Sequence, residues 1–176
     1  MYNEKGFSEE DFWKKMTGFN YIFGLAENDN AIYRNEKIYF YYHYNLKGKH
    51  TLKFSMVYSN PNEERGICLN TIHFKGSIDN YEDEKLFKRN GAYSGYDILG
   101  TDWKEKKIIV DLKEGFLGIT NGKFQTSGDV LFLNSGGLWQ AMKVEQISPT
   151  KFRFYCNDTV LEDDFDDLIF EMEIID

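Results

Sequence analysis

Apolar and polar residues alternate with a period of two over much of the chain. In residues 37–46, Ile38, Phe40, Tyr42, Tyr44 and Leu46 fall on one face and Lys37, Tyr39, Tyr41, His43 and Asn45 on the other, as in a half-buried strand. Residues 51–58 repeat the pattern with Leu52, Phe54, Met56 and Tyr58. Lys47, Gly48, Lys49 and His50 read as the turn of a hairpin between these two strands. A polar loop over residues 59–66, containing Pro61, then leads into a strand at 67–74.

The second half reads as a meander. Strands are expected at 107–112, 116–120 and 123–125, with Asn121-Gly122 as a type I′ hairpin turn. Residues 130–134 and 138–146 flank Gly136-Gly137, and Ser148-Pro149-Thr150 turns the chain into 151–156. In the last strand, 168–175, Leu168, Phe170, Met172 and Ile174 share a face opposite Glu171 and Glu173. With a further strand at 21–25, about ten strands are predicted. The fold class is mainly all-β, one domain built as an antiparallel barrel or sandwich.

Two segments depart from this rhythm. Near the start, Ser8 as N-cap, Phe7 paired with Phe12, and Gly18 as a stop predict a short helix. Residues 76–106 form a long insertion in which Asp79 or Asn80 caps a short helix through 82–89, ended by Gly91. Beyond it, Tyr93, Tyr96 and Trp103 stand among Gly91, Gly95 and Gly100. This is the composition of a binding loop, with rigid rings on an adjustable backbone, or of a lid folded over the core.

The 15 Phe, 12 Tyr and 3 Trp suit a tight β core or a binding surface. Cys68 and Cys156 both lie in apolar runs and read as reduced, buried thiols. The first ten residues lack a basic and apolar leader pattern, and no stretch is apolar enough to span a membrane as a helix. The expectation is a cytoplasmic protein.

Charge is distributed very unevenly. Residues 158–176 carry nine of the 29 acids and no Lys or Arg, whereas the rest of the chain holds all 21 bases against 20 acids. Such a field attracts a basic partner within about 8–10 Å and repels nucleic acid and anionic membrane. Charge on a terminal strand also protects a free sheet edge. Edge protection accounts for Glu171 and Glu173, but less well for Glu162, Asp163, Asp164, Asp166 and Asp167 around the single Phe165.

Motifs for chemistry are sparse. His43, His50 and His73 show no zinc spacing, neither cysteine has an electropositive context, and no phosphate loop or nucleophile elbow is present. Glu171 and Glu173, about 7 Å apart on one strand face, have the spacing of a glycosidase pair without an accompanying sugar-binding motif. The oxygen-rich 157–167 run departs from the EF-hand order. No catalytic residue, metal or cofactor is assigned. The leading expectation is a non-enzymatic, acidic inhibitor or immunity-type protein docking a basic protein, such as a nuclease. Its contact residues are Glu162, Asp163, Asp164, Phe165, Asp166, Asp167, Tyr93, Tyr96 and Trp103. The alternatives are a lipocalin-like barrel around a small apolar ligand and a self-associating subunit.

Overall fold

The computed structural model describes residues 30–33, 35–39, 41–61, 65–70, 75–80, 87–88, 95–99, 101–114, 116–127, 130–134, 141–158 and 164–176. The expected N-terminal helix and the strand at 21–25 lie outside these residues. The described part is all-β. Its strands are β1 (Asn30–Tyr33), β2 (Glu36–Tyr39), β3 (Tyr42–Tyr44), β4 (Gly48–Ser59), β5 (Arg65–Asn70), β6 (Lys75–Asn80) and β7 (Phe87–Lys88). They continue as β8 (Gly95–Leu99), β9 (Glu105–Glu114), β10 (Leu117–Ser127), β11 (Val130–Asn134), β12 (Ala141–Ser148), β13 (Lys151–Asn157) and β14 (Leu168–Ile174).

These strands form two antiparallel sheets. The larger has the order β1-β2-β12-β13-β14-β4-β9-β6, and the smaller β11-β10-β5-β8-β7, with β3 also paired to β10. The sheets are open, not closed on each other, so the architecture is sandwich-like. Of the two expected architectures, barrel or sandwich, the described strands form the second, without the closed barrel on which the lipocalin-like reading rests. Between the sheets, Phe54, Phe154 and Phe170 of the larger pack in one core with Ile67, Leu69, Ile98, Leu117 and Ile119 of the smaller.

The meander expectation holds only in part: β10–β11 and β12–β13–β14 pair consecutively, but most connections along the described chain change sheet. Residues 37–46 do not form one strand: β2 belongs to the larger sheet and β3 to the smaller, with buried Tyr41 at the crossing. The predicted hairpin with residues 51–58 is therefore absent, and β4 pairs with β14 and β9. Of the predicted turn, Gly48, Lys49 and His50 are instead the start of β4, where Gly48 takes a φ of 95° that glycine tolerates. Asn121-Gly122 is not a turn either. Both residues are buried inside continuous β10, paired with Ile67 and Gly66 of β5. Gly136-Gly137 lies outside the described residues, though β11 and β12 belong to different sheets, and the predicted 82–89 helix is contradicted at Phe87–Lys88, which pairs with β8.

Other local signals hold. Pro149-Thr150 closes the β12–β13 hairpin, with Ser148 opposite Lys151. The chain then returns as β14, whose Leu168, Phe170 and Met172 are fully buried. Most consequential is the position of β14, between β13 and β4 at the centre of the larger sheet. It has no free edge, so edge protection does not explain its carboxylates.

Candidate functional site

The flanking strands of β14 carry the bases that its own segment lacks. In register, Glu171 faces Arg153 and Glu173 faces Lys151 on one side, while Glu173 faces Lys53 on the other. Glu171 accepts hydrogen bonds from Arg153 Nη2 at 2.6 Å and Nε at 3.0 Å, and its other oxygen lies 2.7 Å from Lys151 Nζ. Glu173 pairs with Lys53 at 2.7 Å, and Asp176 accepts from His50 Nδ1 at 2.8 Å and the Thr51 amide at 2.9 Å. Burial acts to raise the Glu171 carboxyl, but the hydrogen bonds and charges of Lys151 and Arg153 outweigh it and hold the group below its usual range. A glycosidase acid needs the opposite shift, so the Glu171–Glu173 pair is a structural ladder.

The lowered values of Glu171 and Asp176 set a pH dependence. A carboxyl whose folded value is depressed stabilises fully above its unfolded value and loses that stabilisation as pH falls through the folded one. Glu171→Gln should cost about 1 kcal/mol at neutral pH, a modest figure because Lys151 and Arg153 remain partly solvated. The difference from the parent should stay constant above about pH 5 and shrink below the ordinary glutamate value of 4.5. Urea unfolding at a series of pH values reads it directly, and a difference that does not shrink below pH 4.5 would contradict the assignment.

Beyond β13, two more acids of the charged run turn inward. Arg65, 1% exposed, reaches from β5 to Asp158 with Nε donating to Oδ2 at 2.7 Å and Nη2 to Oδ1 at 3.0 Å. Nη2 also donates to Asp167 Oδ1 at 3.0 Å and Nη1 to the Asn60 carbonyl at 3.0 Å. Asp167 Oδ2 in turn accepts the Asp158 amide at 2.8 Å, and Lys123 Nζ stands 3.6 Å from Asp158. Burial pushes the Asp158 carboxyl up and the Asp167 charge adds to this, while Arg65 and Lys123 oppose it. Among the described residues, two aspartates here face an arginine and a lysine. It joins the smaller sheet to both ends of the 158–167 segment.

The same cluster answers the other chemical readings. Asp158 and Asp167 are committed to Arg65, and among the described residues no group of three His, Cys, Asp or Glu is arranged to hold a metal ion. Cys68 and Cys156 are both buried. Burial, reinforced by the Asp158 and Asp167 charges, pushes the Cys156 thiol well above its ordinary value despite Arg65, which disfavours a thiolate nucleophile. His43 stacks near Tyr41 and Phe116; His73 lies outside the described residues.

The structure divides the expected contact residues. Asp164 and Asp166 are exposed, whereas Phe165 and Asp167 are buried. Phe165 adopts a φ of 59°, in the left-handed region disfavoured for a bulky residue. The Asp166 amide donates to Asp164 Oδ1 at 3.4 Å. Trp103 packs against the hydrophobic core, and Tyr96 sits in β8 opposite Leu69, in the smaller sheet. Glu162, Asp163 and Tyr93 lie outside the described residues.

Beside the turn runs an open groove of about 560 Å³, lined by Glu36, Lys37, Lys143, Glu145, Tyr155 and Asp164, with Val144 and Phe165. Lys143 and Tyr155 are register partners on β12 and β13; Lys143 pairs with Glu36, and Tyr155 donates to Glu145 Oε2 at 2.9 Å. Apart from Asp164 and Phe165, sequence reasoning missed the groove residues, because only the pairing of β2, β12 and β13 brings residues 36, 143 and 155 together. Alternation does place Lys143 and Glu145 on one strand face, and Lys37 on a polar face, but it does not identify their neighbours.

Among the described residues, no helix is long and apolar enough to cross a membrane. No family model, curated protein or solved structure matches the chain.

Proposed function

We propose that the protein is a non-enzymatic binding protein that docks a basic protein through the Asp164–Asp167 turn and the adjoining groove. The observation that carries this reading is the division of the turn. Asp167 is anchored to Arg65 and Phe165 is buried, so exposed Asp164 and Asp166 stand on a backbone tied down beneath them. Carboxylates held in this way lose little freedom when they meet a guanidinium or ammonium, which favours association. Glu36 and Glu145 continue the acidic rim along the groove.

The mode is that of an inhibitor or immunity protein, presenting carboxylates where the partner's nucleic-acid surface expects phosphates. Much of the charge in the 158–176 run is already paired within the fold. The docking charge is therefore the small set around Asp164 and Asp166, and attraction falls off within about 8–10 Å.

Native mass spectrometry of the protein, isolated at low salt from the cells that make it, tests the reading. A basic companion should be present and should dissociate as salt rises. Asp164→Asn with Asp166→Asn should weaken its binding about tenfold, corresponding to about 1.4 kcal/mol for two desolvated carboxylates. Equal binding by the parent and the double variant would remove the proposal.

A further inference from the structure

Lys143 and Phe165 make an arrangement that attraction by the acidic turn does not itself require. The Lys143 ammonium lies 4.7 Å from the centroid of the Phe165 ring and also pairs with Glu36. An aromatic face with a carboxylate beside it is a seat for a cationic side chain. Phe165 reaches it from a left-handed backbone conformation, with φ 59°, and is only 4% exposed with Lys143 over it. The seat opens into the groove, where Asp164, Glu145 and Tyr155 supply further hydrogen-bonding groups.

We propose that Lys143 is a built-in stand-in, and that on docking an arginine side chain of the basic partner enters the groove and takes its place over Phe165. Arginine suits the seat better than lysine. Its planar guanidinium stacks on the ring while its fork of donors reaches the Glu36 carboxylate. Lys143, whose side chain is 31% exposed, leaves toward solvent, since two cations in one seat repel. Among the described residues, the groove carries three carboxylates, Glu36, Glu145 and Asp164, against two ammonium groups, Lys37 and Lys143. Departure of Lys143 therefore widens this negative excess for the incoming charge. This inference rests on the docking reading of the same turn and adds to it which side chain is recognised and what it displaces.

The test is an NMR titration of the full chain with a tetra-arginine peptide at low salt. Lys143→Met keeps the apolar stem and removes the competing charge. It should tighten peptide binding about fivefold, the equivalent of one partly desolvated cation–π contact. The amides of Glu145, Tyr155 and Phe165 should shift as the peptide binds. Lys49→Met, an equal charge change at an exposed residue near the start of β4, should tighten binding less than about twofold, as expected for a screened surface charge. Phe165→Leu in the Lys143→Met background should abolish the extra gain, with thermal unfolding confirming that this variant is folded.

Equal effects of Lys143→Met and Lys49→Met, or peptide-induced shifts confined to other surfaces, would overturn the inference. Failure of the docking reading looks different. In that case, Asp164→Asn with Asp166→Asn leaves binding of the natural companion unchanged, whatever happens at Lys143.

Discussion

Replacing Arg65 by methionine should destabilise the protein by about 3–5 kcal/mol, because it leaves buried carboxylates without their counter-charge. Arg65 supplies the bidentate fork to Asp158, a further bond to Asp167 and a donor to the Asn60 carbonyl. Lys123 remains, at 3.6 Å from Asp158. Against a typical total of about 5–15 kcal/mol, such a loss approaches global unfolding. Urea denaturation followed by circular dichroism measures it.

The Arg65→Met, Asp158→Asn, Asp167→Asn triple variant separates loss of charge balance from loss of packing. With the carboxylates neutralised, a substantial part of the loss should return, since the cost lies in the unpaired charges more than in the missing contact. Arg65→Lys should not rescue, because a single ammonium cannot reproduce the planar fork. A loss below about 1 kcal/mol for Arg65→Met, the scale of an exposed pair, would mean that the cluster is not a tie between the sheets.

Phe170→Ala is the second severe change, with an expected cost of about 3–5 kcal/mol for a large buried ring. Phe170 is fully buried in β14 and stacks on Phe154 of β13, with centroids 4.7 Å apart and planes 10° apart. Phe54 of β4 lies at 6.2 Å on the other side. The three rings run across the central strands of the larger sheet, so truncating the middle one opens a cavity that neighbouring strands cannot close. The Phe154→Ala, Phe170→Ala double variant should cost less than the sum of the single changes. An aromatic coupling of about 0.5–1.5 kcal/mol is expected, and strict additivity in the same urea measurements would contradict the stacked geometry.

Elements specified by their own residues were legible. Alternation marked the buried face of β14, and the Pro149-containing turn marked the β12–β13 hairpin, since both are decided within a few residues. Asn121-Gly122 shows where this kind of reading stops. The dipeptide favours a tight turn, yet it is buried in β10 because that strand gains a full ladder with β5. The 37–46 run shows another limit: alternation continues through Tyr41 although the chain passes there from one sheet to the other.

The candidate site divides in the same way. An acidic turn around Phe165 was visible in the linear pattern, but which of its carboxylates face solvent was not. Asp164 and Asp167 are of one residue type, three positions apart; one is exposed and the other is bound to an arginine 102 residues earlier in the chain. The charge asymmetry between residues 158–176 and the rest is a property of the linear chain alone. Folding inserts β14 between strands bearing Lys53, Lys151 and Arg153 and pairs its acids with them. Composition and periodicity therefore determined the all-β class, the buried face of the last strand and the presence of surplus negative charge, because each depends on residues adjacent in the chain. Sheet membership, the Arg65 cluster and the groove beside Phe165 were decided by tertiary structure, because each depends on strands that meet only after long loops have closed.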